Sequence, residues 1–140
     1  MSDPARSRAE EKFAKLRPSE DNAIKARDKH ASATFLSELL GLGEPVPFGP
    51  FVGVEVDNEV TLDYLNAPGK ITPQHYAFLI TESEFDEIFA RIRDRRIPYW
   101  ADPMRGRPGE INTRDGGRGV YFEDPSGHLL EILTRPYGSG

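Results

Sequence analysis

The stretch from Gly116 to Thr134 constrains the fold of this chain more than any other. Val120 and Phe122 alternate with Tyr121 and Glu123, which is the period of a strand. Asp124-Pro125-Ser126-Gly127 then supplies turn chemistry, with proline fixing one φ and glycine freeing another. On the return, from His128 to Thr134, Leu129, Glu131 and Leu133 share one face. His128, Leu130 and Ile132 share the other. The segment therefore predicts a hairpin with Glu131 set among leucines. A carboxylate there is costly to bury unless it is paired, protonated or bound to a metal, so Glu131 is the first candidate for chemistry.

At 140 residues the chain suits one domain with a hydrophobic core. Its 37% hydrophobic and 29% charged residues fit a globular protein rather than a disordered one. A net charge of −5 offers no general attraction to nucleic acid or to an anionic membrane. The absence of cysteine excludes disulfides, zinc–thiolate sites and thiol nucleophiles. No signal-peptide core or membrane-spanning run is visible, and a cytoplasmic protein is the expectation.

In chain order, residues 1–19 carry almost nothing apolar except Phe13 and Leu16, and Pro18 would stop a short helix over 9–16, so a flexible N-terminal arm is expected, with a dimer-clasping helix as the alternative. Asp21 to Arg27 is a weak strand candidate. Asp28 stands where a helix N-cap would, Phe35, Leu36, Leu39 and Leu40 give one apolar face, and Gly41 and Gly43 end the helix. Pro45, Pro47 and Pro50 suggest an irregular link. Phe51–Val56 and Val60–Leu65, separated by Asp57-Asn58-Glu59, read as a hairpin. A second series follows Ala67-Pro68-Gly69-Lys70. Gln74–Ile80 reads as a strand, Thr81 to Glu84 as a capping box, and Phe85, Ile88, Phe89 and Ile92 as a helical face. Pro98–Ala101 is a short strand, and polar, glycine-rich 102–117 is a long loop. The two halves thus share an order of strand, helix and further strands, without detectable sequence identity. That order puts Asp21 and His75 on the first strands, and Asp63 and Glu131 at matching places on the last.

With these residues in view, the chain resembles the vicinal oxygen chelate superfamily, which includes glyoxalase I, extradiol dioxygenases, fosfomycin-resistance enzymes and bleomycin-binding proteins. The likeness runs from about Asp21 to Tyr137 and is most specific over Gly119 to Glu131. Arg27-Asp28 with Ala33 to Leu42 is similar to the family's first strand-to-helix passage, and Gln74 to Phe78 to its second opening strand. The resemblance implies an α+β fold of two βαβββ modules, residues 20–67 and 71–137, curling into an open, cup-shaped mixed sheet. It also implies a divalent metal held by Asp21, His75 and Glu131, with Asp63 at a less used fourth place. Position 21 departs from the pattern, because metal-binding members usually carry histidine there; a shifted register would select Asn22. One histidine and two carboxylates suit Mn²⁺, Fe²⁺, Ni²⁺ or Zn²⁺.

Each candidate has a plainer alternative. His75 could be a hydrogen-bonded sheet histidine, and Glu131 could pair with Arg118 across the hairpin. Asp21 could be an exposed strand-end carboxylate, and Asp63 a solvent-facing or structural one. His128 reads as structural and His30 as solvated. Tyr121 should share a side of the sheet with Glu131 and serve as a hydrogen-bond donor, packing element or acid. Tyr99, Trp100 and Phe51 fit either a pocket or the core. Arg105, Arg107, Arg114 and Arg118 fit either an anion site or a solvated loop face. The expectation is a small metal-dependent enzyme, a lyase, isomerase or dioxygenase, acting on a small oxygenated substrate with Glu131 and Tyr121 as catalytic groups. The rival is a metal-free ligand-binding or resistance protein of the bleomycin-binding type. The open cup of a two-module chain also implies a homodimer.

Overall fold

The computed structural model describes residues 22–56, 60–136 and 138. The N-terminal arm, Asp21 and the Asp57-Asn58-Glu59 turn lie outside the described residues.

The first module begins with strand β1 (Ile24–Ala26) and helix α1 (Lys29–Leu40). Asp28 caps the helix as expected, its carboxylate accepting the backbone N–H groups of His30 and Ala31, two of the donors a helix start leaves unpaired. Gly41 ends it at φ 69°, a left-handed conformation natural to glycine. Its buried face includes Ser32 and Ser37 as well as Ala33, Leu36 and Leu39, with Phe35 and Leu40 half-buried. Strands β2 (Val46–Phe48), β3 (Phe51–Val56) and β4 (Val60–Asn66) complete the module. The proline link expected at 45–50 is thus in part a strand. Pro47 is tolerated because β2 is an edge strand, where a missing N–H costs no ladder bond on the open side. Val56 lies opposite Val60, the register of the expected hairpin.

The second module repeats the order with β5 (His75–Leu79), α2 (Glu82–Asp94), β6 (Tyr99–Trp100), β7 (Gly119–Glu123) and β8 (Leu129–Leu133). Thr81 and Glu84 close the predicted capping box, each side chain accepting the other residue's backbone N–H at 3.1 and 2.9 Å. The 102–117 loop is tied down by bridges between Trp100 and Pro108 and between Asn112 and Gly119, and by a 3-10 turn at Arg114–Gly116. The strands form two four-stranded mixed sheets, ordered β1-β4-β3-β2 and β5-β8-β7-β6. In each, the first strand runs parallel to the last and the remaining pairs are antiparallel.

Both helices cover one side of the sheets. Leu36, Leu39, Val52, Val54, Phe85, Ile92, Val120, Phe122, Leu130 and Ile132 form one buried cluster there. The even residues of the closing hairpin therefore belong to the core, which turns Tyr121 and Glu131 to the opposite face. His128 fastens the modules together. Its Nδ1 accepts the Gln74 N–H at 3.0 Å, so Nε2 carries the hydrogen and donates to the Lys25 carbonyl of β1 at 2.6 Å. Arg27 N–H donates to Ser126 Oγ, and Ser126 meets Ser32 of α1 at 3.2 Å. His128 is thus structural, as expected.

Candidate functional site

The register of the second sheet builds the site. Ala77 lies opposite Glu131, Glu131 opposite Tyr121, and Tyr121 opposite Trp100. Residues directly opposite across a sheet point to the same side, so these four form one row on the face away from the helices. Leu129 and Leu133 flank Glu131 along its own strand, and both are buried. Glu131 itself is 2% exposed. Its Oε1 lies 2.9 Å from Nε2 of His75, whose side chain is 48% exposed. A carboxylate sunk in an apolar row thus meets an imidazole that reaches the surface. The His75 and Tyr121 rings stand 5.8 Å apart, so Tyr121 walls the pair on one side.

The predicted residues are distributed as follows. His75, Glu131 and Tyr121 come together. Asp21 lies outside the described residues, and Asn22 is exposed in the turn leading to β1. Asp63 sits on β4 opposite Gly53, where partial burial pushes its carboxyl above the usual carboxylate range. Among the described residues no third histidine, aspartate or glutamate joins His75 and Glu131.

The arginine expected to compete for Glu131 is elsewhere. Arg118 grips Glu82 at 2.7 Å and Asp86 at 2.8 Å and lies over the Phe85 ring. Arg105 pairs with Glu123 at 2.6 Å while covering Trp100, and Arg107 pairs with Glu110. These three arginines are committed to carboxylates of the same chain, which disfavours the anion-site alternative for them. Half-buried Tyr99 packs edge-on against Phe89 beside the core, whereas Phe51, buried on β3, alternates with the core residues Val52 and Val54 and faces the other side of its sheet. His30 is exposed. Sequence reasoning had not placed Ala77 and Trp100 in one row with Glu131, because that depends on the offsets between strands and not on the pattern within any one of them.

Two donors 2.9 Å apart can share one divalent ion at ordinary bond lengths of about 2.0–2.2 Å. Imidazole nitrogen and carboxylate oxygen suit the borderline divalent metals. The residues present therefore fit two places in a metal's coordination shell.

Two βαβββ modules, with a histidine–carboxylate pair on the face away from the helices, define a glyoxalase-like protein. The model of the Glyoxalase/Bleomycin resistance protein/Dioxygenase superfamily matches residues 22–132, and the chain belongs to that superfamily. The chain is similar to the solved structure titled oxidase ChaP-H2, with 64% sequence identity and a TM-score of 0.82 over 84% of this chain and 93% of that one. It is 31% identical over 100 residues to the metallothiol transferase FosB of Shouchella clausii (strain KSM-K16), covering 71% of this chain and 64% of that protein. It is 30% identical over 111 residues to the glutathione transferase FosA of Serratia marcescens, covering 75% and 72% respectively. The chain thus spans less than two thirds of the length of that FosB. No helix among the described residues is long and apolar enough to cross a membrane.

Proposed function

We propose that the protein is a metal-dependent enzyme acting on a small oxygenated substrate, with His75 and Glu131 as two metal ligands and Asp21 as the third. The observation that carries this reading is the 2.9 Å approach of His75 Nε2 to the carboxylate of the 2%-exposed Glu131. Oxidation is the reaction class with the best support, because the relative titled an oxidase is about twice as similar in sequence as the two transferases. A bound divalent ion would supply Lewis acidity for the substrate's oxygens. Glu131 accepts the proton that the substrate loses, since its carboxylate lies within the row on which the substrate would rest. Tyr121, directly opposite, donates a hydrogen bond that orients the substrate. Trp100, held under Arg105, closes the far end of the row. Exposed Val46 and Phe48 on the edge strand β2 support a homodimer as the working form.

A metal-free ligand-binding protein is the second reading, favoured by aspartate rather than histidine at position 21. Elemental mass spectrometry of protein purified without added metal or chelator separates the two. About one divalent ion per chain is expected in wild type and none in Glu131→Ala. Empty wild-type protein that gains no thermal stability from Mn²⁺, Fe²⁺, Ni²⁺ or Zn²⁺ would reject the enzyme reading. A single monomeric species at micromolar concentration on sizing would reject the dimer.

A further inference from the structure

Between the two sheets lies a slot of about 410 Å³ that opens at His75. One wall is β5, whose outer edge has no strand neighbour among the described residues. The other is the part of β4 and β3 that β1 does not cover, since β1 pairs only with Tyr64 to Asn66. Leu42, Leu62, Phe78 and Ile88 line the interior, and Val60 and Leu79 form opposite lips. Those lips are 42% and 61% exposed, two of the few large apolar side chains the described fold leaves to water. Among the described residues, no lysine or arginine lines the slot. The one carboxylate among its described lining residues, Glu84, is already engaged by the Thr81 backbone. An anion would find no counter-charge here, and a cation would compete with the helix cap for Glu84.

Gln74 carbonyl accepts from Leu129, and Ile80 N–H donates to the Leu133 carbonyl, so the even residues of β5 bond to β8. By the alternation of a strand, His75, Ala77 and Leu79 direct their backbone groups into the slot. An apolar channel of ligand size with a few polar groups along one wall, and with His75, the partner of Glu131, in its lining, is the usual make-up of a small-molecule site.

We infer that this slot seats an uncharged, apolar extension of the substrate while the substrate's oxygens reach His75 and Glu131. This rests on the metal-enzyme reading for the oxygenated end, but the slot itself does not depend on it. The test compares acetohydroxamate with octanohydroxamate, which carry the same two-oxygen chelating head and differ only in an alkyl tail. Zn²⁺ binding is first measured by calorimetry. Each hydroxamate is then titrated into Zn²⁺-loaded protein, with amide chemical shifts followed in parallel. Octanohydroxamate is expected to bind at least tenfold more tightly, with shifts at Leu62, Phe78 and Leu79 that acetohydroxamate does not cause. Leu79→Glu, at an exposed lip, should cut that advantage below threefold while leaving Zn²⁺ and acetohydroxamate affinities unchanged. Leu42→Asn provides a second variant on the interior wall with the same expectation. Equal affinity of the two hydroxamates, or shifts confined elsewhere, would overturn the slot and leave the metal reading standing. Absence of Zn²⁺ binding would reject the metal reading. The slot would then be judged on the octanohydroxamate shifts alone, and their absence would reject it as well.

Discussion

Replacing Glu131 with methionine should make the metal-free protein more stable and at the same time unable to bind metal. The side chain is 2% exposed, with Leu129 and Leu133 on its own strand and Ala77 and Tyr121 opposite. Holding a carboxylate in such a place costs several kcal/mol even after relaxation, and its hydrogen bonds, that with His75 among them, return only part of that cost. Methionine is unbranched and adaptable, of similar length, and removes the desolvation cost. His75 is 48% exposed, so losing its partner returns it to water at little cost. The net expectation is a gain of about 1–3 kcal/mol, which at this length is a rise of roughly 3–10 °C in Tm. Calorimetry or urea unfolding in a chelator would measure it. In a divalent metal at about 1,000 times Kd the order should reverse, because wild type alone gains about 4.1 kcal/mol from binding. Glu131→Met destabilised by more than 1 kcal/mol without metal would refute the argument. The carboxylate would then be a structural partner of its neighbours and not a group retained for chemistry.

Two further perturbations probe the frame that carries the site. His128→Ala would remove the imidazole partner of the half-buried Lys25 carbonyl and of the Gln74 N–H, so a loss of about 1–3 kcal/mol in urea unfolding is expected. Glu84→Ala should cost about 1 kcal/mol at pH 7 by opening the capping box. The Thr81 N–H holds the Glu84 carboxyl below its usual range, so this contribution is present above that range and fades as pH falls through it. Thermal melts of wild type and Glu84→Ala should therefore converge below about pH 4, and a gap that stays constant to pH 3 would contradict the assignment.

Much of this fold is legible in the chain because local rules and tertiary packing agree. The cap at Asp28, the box at Thr81 and Glu84, and the turn at Asp124 to Gly127 each follow from a short-range hydrogen bond that needs no distant partner. The alternation of Val120, Phe122, Leu130 and Ile132 sends four side chains into the core and thereby fixes where Glu131 must point. Strand β2 was not legible, since Pro47 argues against a strand unless one knows that it lies on an edge. Ser32 was not either. A serine on a buried helical face is unfavourable until its contact with Ser126, from the far end of the chain, comes into view.

The candidate site divides along the same line. Glu131 stands out within its own strand, because a carboxylate among leucines conflicts with local burial. His75 does not, since a histidine between Gln74 and Tyr76 suits any half-exposed strand. What gives it meaning is the parallel pairing of β5 with β8, which places His75 two residues from the position facing Glu131 and lets its ring reach across. The same register brings Tyr121 and Trp100 into line with the pair. Moving β8 by one residue would send Glu131 into the core and bring Leu130 or Ile132 out beside His75. The core residues of the hairpin are therefore what hold the chemistry in place, and disturbing their packing should disturb the site before it unfolds the chain.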